Sequence, residues 1–257
     1  MADLSAGAIA KARAELNVAE GRFPASIGII MDGNGRWARS RGLPRSAGHW
    51  EGATAVRSIV TEAARLGVEV LTLYSFSLEN WSRPEQEVNA LMRIYAEYLI
   101  RERPTFMDNN VRLRHLGRRE ELPQSVLDEL DETARVSAVN DGMVLCLALN
   151  YGSRAEITDA VRQLAEEVRQ GRMTPEQINP EAISARLGTA GLRDPDLVIR
   201  TSGEMRLSNF LLWQMSYAEI YATETHWPDF DEGELHKAIQ AYAGRHRRFG
   251  TVDDTNE

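Results

Sequence analysis

Short apolar segments recur along this chain and read mostly as continuous runs rather than as in–out alternations: Ile27–Met31, Val68–Phe76, Val111–Leu116, Met143–Asn150 and Leu197–Arg200. A strand with one wet face alternates, so continuous runs belong to strands covered on both sides, as in a parallel sheet with helices on each face. Segments with helical spacing lie between the runs. After His49, the residues Val56, Ile59, Val60, Ala63 and Ala64 share one face, and Gly67 suits the position just past the helix end. Ser82–Glu85, Ser153–Glu156 and Thr174–Gln177 each read as a capping box opening a helix. A last helix is expected from Asp231 to Arg247. With no repeat, linker or change of composition, the expectation is a single α/β domain over residues 23–250. A helical or disordered leader, 1–22, precedes it and a tail, 251–257, follows.

Composition removes several classes. The longest unbroken apolar run, Val144 to Leu149, is far short of the eighteen or so residues a membrane span needs. No basic segment followed by an apolar one opens the chain, so no secretory signal is expected. One cysteine, Cys146, excludes a disulfide framework and a multi-thiolate metal site, and implies a reduced thiol in a cytoplasmic protein. A net charge of −8 argues against bulk electrostatic binding of nucleic acid. Yet Lys11 and Lys237 are the only lysines among 30 cations. Genomic base composition would produce that bias, and so would a need for guanidinium forks that grip phosphate.

Position separates the two. In an open parallel sheet, ligands bind beyond the carboxyl ends of the strands. Those ends run into Asp32–Trp37, Ser77–Arg83 and Arg200–Ser208, each polar and each holding arginine. In the first, Gly33 and Gly35 permit a tight turn that brings backbone N–H groups close to an anion at a helix start. Asp32 at the strand tip suits a hard cation such as Mg²⁺, which takes one or two carboxylates plus substrate phosphates. Alone, this is also an ordinary strand–helix turn with Asp and Asn as turn formers. Arg36, Arg39, Arg41, Arg45 and His49 follow closely, beside glycines 42, 48 and 52, as a diphosphate pocket would require. The run is neither a Walker A motif nor G-x-G-x-x-G.

Six ordered blocks carry a resemblance: IGIIMDGNGRWARSRGLPRSAGHWEG, YSFSLENWSRPEQEV, LALNYGSRAEI, DLVIRTSGEMRLSNFLLWQMSYAEIY, WPDF and RRFG. Together they closely resemble the cis-prenyltransferases, the bacterial members above all, over residues 24–250. The resemblance implies a mostly parallel six-stranded sheet covered by helices, with a hydrophobic tunnel. It also implies condensation of isopentenyl diphosphate onto an allylic diphosphate, usually farnesyl diphosphate, with Mg²⁺ and release of pyrophosphate. The helix spanning Pro84 to Asn110 has the bacterial length, which favours an undecaprenyl-sized product.

By resemblance, Asp32 matches the aspartate at the metal and the allylic diphosphate, and Gly33, Asn34, Gly35 and Arg36 match the diphosphate-cradling loop. Arg45 and His49 match further diphosphate groups and Trp37 a substrate-contacting aromatic. Ser77, Leu78, Glu79, Asn80, Trp81 and Arg83 match the second cluster, in which Asn80 either accepts the departing proton or orients substrate. Arg200, Arg206, Leu207 and Ser208 resemble the isopentenyl diphosphate site, and Glu219 the second metal carboxylate. Arg248 and Gly250 match a motif that reaches the partner's site in a homodimer. Leu91, Ile94, Tyr95, Leu145, Leu147 and Leu149 are tunnel-wall candidates. Phe210 to Trp213 read as core, and His115, His226, His236 and His246 as structural or exposed. A greasy product implies transient membrane contact, peripheral at the inner face. The sequence departs from the family pattern at Ser26, at Gly117–Arg118 and at Ser202. A non-catalytic scaffold subunit would lack Asp32 and these arginines, and a trans-type synthase would need Asp-rich helical motifs that are absent.

Overall fold

A computed structural model describes residues 4–19 and 21–245. His246, Arg247, Arg248, Gly250 and the tail 251–257 lie outside the described residues. Six strands form one sheet: β1 Ser26–Ile30, β2 Val70–Ser77, β3 Arg112–Leu116, β4 Val144–Tyr151, β5 Leu197–Arg200 and β6 Glu219–Ala222. Their order is β3-β4-β2-β1-β5-β6, and every pairing is parallel. Five strands fall where the apolar runs lie. The sixth has no such run: it is an edge strand of intermediate and exposed residues, so burial leaves no mark on its sequence.

The helices are α1 Ala6–Glu15, α2 Asn34–Ser40, α3 Arg45–Arg65, α4 Glu85–Asp108, α5 Gln124–Ser137, α6 Ser153–Arg169, α7 Pro180–Ser184 and α8 Glu232–Ala243. Among the described residues none is long and apolar enough to cross a membrane. Successive strand residues point to opposite faces, and the core divides accordingly. Ile27, Ile29, Leu71, Leu73, Leu145 and Leu147 meet α1, α3, α4, α5 and α8 on one face. Tyr74, Cys146, Ala148 and Val198 meet Phe210, Leu211 and Met215 on the other. Hydrogen bonds from Trp213 to Ser184 and from Gln214 to Glu156 tie α7 and α6 to that second layer. Burial pushes the Cys146 thiol up to about 11, which keeps it inert.

Three local expectations change. Ser82 does not cap α4, whose N-cap is Pro84; its hydroxyl donates to the Glu79 carbonyl inside a 3₁₀ turn, Leu78–Ser82. The capping box sits one turn earlier, between Ser77 and Asn80. Ser153 is already helical, and its hydroxyl accepts from the Leu212 N–H while Glu156 serves Gly188 and Tyr151. Ser153 thus serves a tertiary partner and Ser82 the preceding 3₁₀ turn, neither of them its expected helix end. The Thr174–Gln177 box is formed, on a short 3₁₀ turn. The leader contains α1, whose Ala12 and the following Leu16 are buried in the core.

Candidate active site

From β1 the chain moves toward β2, and from β5 toward β6, in opposite directions across the sheet. The crevice between the carboxyl ends of β1 and β5 is therefore the switch point at which such sheets bind ligands. Asp32 follows β1 and Arg200 ends β5. Gly33 caps α2 with φ 104°, and a Cβ there would lie 2.7 Å from the Ser202 hydroxyl, so only glycine lets the two loops cross. Ser202 itself adopts φ 75°, and Ser208, Asn209 and Leu211 are also left-handed. Strain of this kind gathers at functional loops.

The Asp32 carboxylate is the hub. Its Oδ2 accepts from Arg200 Nη2 at 2.9 Å and lies 3.8 Å from Arg206, while Oδ1 is 3.3 Å from Arg36 and accepts from the Gly33 N–H at 2.7 Å. Burial works to raise this carboxyl, but the hydrogen bond and charge of Arg200, with Arg36 and Gly33, outweigh it and hold the group below the ordinary range. Thr201 fixes the turn by accepting from the Asp32 N–H and donating to its carbonyl. Arg200, only 4% exposed, also donates to Ser208 Oγ at 2.7 Å and to the Arg206 carbonyl.

A second cationic group stands across the mouth. Glu87 gathers Arg45 (3.1 Å), Arg83 (3.2 Å) and His49 (3.6 Å). Burial, then repulsion from Arg83, lowers the His49 imidazole to about 4, with Glu87 offsetting part of the shift. His49 is thus neutral at pH 7, and its buried Nε2 lacks a hydrogen-bond partner among the described residues. So do Asn34 Oδ1 and Arg200 Nε. All three residues line the same cavity, which marks it as a place where a polar ligand completes the bonding.

That cavity has a volume of about 560 Å³. Its mouth holds Asp32, Asn34, His49, Ser77, Glu79, Asn80, Arg83, Arg200, Arg206 and Ser208. Deeper in, the walls turn apolar: Ala53 and Val56 from α3, Leu91, Ile94, Tyr95 and Tyr98 from α4, and Phe76 and Leu147 from the sheet. Both helices start at the carboxyl ends of strands and run side by side, so the space between them and the sheet is a tunnel leading down from the charged mouth. Leu145 and Leu149, also expected in its wall, are core residues that do not line it.

Several expected residues stand elsewhere. Trp37 is packed: its Nε1–H donates to Asp229 at 2.7 Å and the Arg41 guanidinium stacks on its ring. Leu78 rests against Gly152 on the far side of the 3₁₀ turn. Trp81 packs edge-on against Phe76 and donates to Asn150 at 2.7 Å, which braces the loop carrying Asn80. Leu207 is 39% exposed outside the cavity. Glu219 stands apart from this mouth. It opens β6 in register with Leu197, three residues below Arg200, so roughly 10 Å of strand rise separates it from the mouth. Its carboxylate accepts from Arg245 at 2.7 Å, and one ion cannot join it to Asp32 of the same chain. Glu87 and Glu204, the latter bound to both Arg36 and Arg206, were not assigned from sequence. The Arg83–Glu87 spacing of one helical turn is the signal that identifies the first.

The chain matches the prenyltransferase family model for undecaprenyl diphosphate synthase over residues 30–250. It is 50% identical to an isoprenyl transferase of Shouchella clausii, over 90% of both chains. A second isoprenyl transferase, from Porphyromonas gingivalis, is 49% identical over 90% of this chain and 91% of its own. Among solved structures, lavandulyl diphosphate synthase of Lavandula x intermedia in complex with dimethylallyl diphosphate superposes with a TM-score of 0.88. It is 35% identical, with 90% of this chain and all of that one covered. A probable undecaprenyl diphosphate synthase of Campylobacter jejuni gives 0.72 at 31% identity, over 88% of this chain and 98% of that one.

Proposed function

The chain belongs to the undecaprenyl diphosphate synthase family of prenyltransferases, and from that premise we propose how its pocket divides the work. The enzyme is a cis-prenyltransferase that condenses isopentenyl diphosphate onto an allylic diphosphate and makes undecaprenyl diphosphate. One observation carries the assignment of roles: Asp32, Arg36, Arg200 and Arg206 meet at the mouth of a tunnel whose depth is apolar.

An allylic diphosphate puts its charged head at the mouth and its hydrocarbon in the tunnel. Arg36, Arg45 and the N–H groups at the start of α2 receive that head. Arg200 and Arg206, with Ser208, receive isopentenyl diphosphate beside it. As the allylic C–O bond breaks, negative charge grows on the leaving pyrophosphate, and donors already fixed in place stabilise it more than they stabilised the ground state. Asn80, held by its capping box with Ser77, faces the cavity and orients the isopentenyl unit as it loses its proton. A neutral amide is a poor base, so the released pyrophosphate is the better acceptor.

Mg²⁺ fits this mouth through Asp32. Among the described residues no cluster of three or more acidic, histidine or cysteine side chains exists to cage a metal. A single carboxylate sharing the ion with substrate phosphates is the arrangement Mg²⁺ favours. When bound there it supplies Lewis-acid stabilisation of the departing pyrophosphate. A homodimer is supported by β6, an edge strand whose neighbourhood exposes Tyr217 and Ile220. Contact with the membrane is peripheral and follows from the greasy product. Incubation with farnesyl diphosphate, labelled isopentenyl diphosphate and Mg²⁺, followed by sizing of the products, tests the reading. Polyprenyl diphosphates and released pyrophosphate are expected; neither forming would overturn it.

A further inference from the structure

The product is an amphiphile, with a charged head left at the mouth and a long hydrocarbon in the tunnel. It has to pass from the protein into a bilayer without its tail crossing water, which costs about 0.8 kcal/mol per CH₂ exposed. A surface beside the mouth that rests on lipid removes that barrier, so the outer side of the mouth is the place to look.

The link between α2 and α3 stands there. His49, Gly52, Ala53 and Val56 of α3 line the cavity. On the outward side of the same stretch, Leu43 is 44% exposed and Trp50 is 39% exposed. Trp50, Thr54 and Arg57 follow at helical spacing, all exposed, with Leu43 at their upper end. The Leu43 N–H donates to the Ala38 carbonyl, so the residue is held in place. Charge is concentrated on this stretch as well. From Arg36 to Arg57 there are five arginines and one acidic residue, Glu51. Arg36, Arg41, Arg45 and Arg57 pair with Glu204, Asp229, Glu87 and Glu102 of other elements, which leaves Arg39 as the cation without an ion pair among the described residues. Arg39 is exposed, and Arg41 is held across the Trp37 ring by Asp229.

We propose that the α2–α3 corner, with Leu43 and Trp50 as its apolar tips and Arg39 and Arg41 around them, docks the enzyme on an anionic phospholipid surface. An aromatic and an aliphatic tip within a basic rim is the composition that seats a protein at a headgroup layer. Another exposed apolar group, Tyr217 and Ile220, adjoins β6, which is an edge strand among the described residues, and that suits a second copy instead. Docking by the corner places the tunnel mouth against the bilayer. The proposal rests on the polyprenyl diphosphate synthase reading above.

Sedimentation with vesicles tests it. Wild-type protein should partition onto vesicles of phosphatidylglycerol and phosphatidylcholine, lose that binding in high salt, and leave pure phosphatidylcholine vesicles unbound. The double variant Leu43→Glu/Trp50→Glu should bind the anionic vesicles at least tenfold more weakly. Its rate of first condensation in detergent should be unchanged. As a milder probe, brominated acyl chains should quench wild-type fluorescence, and Trp50→Phe should remove most of that quenching. Equal binding by wild type and the double variant, or no binding by wild type, overturns the docking surface. So does a change of oligomeric state in the variant without loss of vesicle binding. Absence of condensation by the wild-type preparation overturns the underlying enzymatic reading instead, whatever the vesicles show.

Discussion

Arg200 Nη2 lies 2.9 Å from Asp32 Oδ2, although 168 residues separate the two in the chain. The parallel pairing of β1 with β5, Ile30 beside Arg200, brings them together. The contact makes Asp32 a shared acceptor rather than a free ligand, since Arg36 and Arg206 compete for the same carboxylate. Replacing it therefore has two consequences. Asp32→Asn keeps the shape but loses the charge, and turnover should fall by roughly 10²–10³-fold, as for loss of one transition-state stabiliser. Stability should fall by only about 1–3 kcal/mol, because Arg200 keeps Ser208 and the Arg206 carbonyl as partners. Steady-state rates in Mg²⁺ beside urea unfolding will separate the two effects; a variant with more than half the wild-type rate rejects the role.

The same geometry divides Arg200 from Arg206. Arg200 is buried and spends its guanidinium on Asp32 and the 206–208 loop, whereas the Arg206 side chain is 60% exposed. Arg206→Ala should raise KM for isopentenyl diphosphate about tenfold with little change in kcat, the signature of lost uniform binding. Arg200→Ala should raise that KM and lower kcat as well, because Asp32 loses its anchor. Initial-rate kinetics with each substrate varied will show the split, and identical profiles for the two variants would refute it.

His49 should leave a mark on acid stability. Its folded pKa of about 4 lies below the ordinary 6.5, so the fold favours the neutral ring. That contribution is complete above pH 6.5 and is lost progressively as pH falls toward 4, because the unfolded chain takes up the proton first. The full loss corresponds to about 3 kcal/mol. Urea denaturation of wild type and His49→Gln between pH 7.5 and 4 should give curves that converge at the acid end, roughly by that amount. A parallel pair of curves would mean that the ring is solvated.

Much of the site was legible because its residues fall in contiguous blocks at strand ends. Asp32, Asn34, Arg200 and Ser208 reach the cavity by simple continuation of β1 and β5. Legibility failed where a role depends on contacts between distant segments. Trp37 stands inside the first block, yet the helical turn of α2 carries its ring to Asp229 instead of the cavity. Glu219 is matched to a metal carboxylate by resemblance alone, and the register of β6, which sets it three residues below Arg200, is not readable from its block. Leu147 lines the tunnel while Leu145 and Leu149 on the same strand face do not, a difference made by the helices above them. The leader's role was not legible, since the carbonyls that Arg13 serves, those of Leu66 and Gly67, lie more than fifty residues away.

Those partners give α1 a testable role. Arg13 donates from Nε to the Leu66 carbonyl and from Nη2 to the Gly67 carbonyl, both at 2.8 Å, and stacks on Phe23. It thereby satisfies carbonyls at the end of α3 and places a cation at the negative pole of that helix. Arg13→Ala should cost about 1–3 kcal/mol, which for a chain of this size is a Tm drop of roughly 2–12 °C. Activity at 25 °C should be unchanged, because the residue is remote from the mouth. Calorimetry and initial rates will decide, and an unchanged Tm would mean that α1 is an ornament on a fold that stands without it.

The depth of the tunnel should be set by Tyr98. It is the furthest along α4 of the residues that line the cavity, and its ring packs against Phe106 beyond. Its hydroxyl is buried with no hydrogen-bond partner among the described residues, and burial raises its pKa well above the ordinary value. One turn further, Glu102 is fully buried and joined to Arg57 of α3 by two bonds of 2.7 Å, which close the seam between the helices below the ring. A growing chain that reaches Tyr98 therefore meets a ring backed by an ion pair. Tyr98→Ala removes the ring while leaving the pair, so the product distribution should shift by one or more isoprene units toward longer chains. Tyr98→Phe keeps the ring and removes only the unpartnered hydroxyl. Its products should match wild type, and it should be at least as stable, since an unsatisfied buried hydroxyl costs about 1–3 kcal/mol. Reverse-phase chromatography of the dephosphorylated products checks both variants. Unchanged lengths from Tyr98→Ala would move the stopping point to another wall.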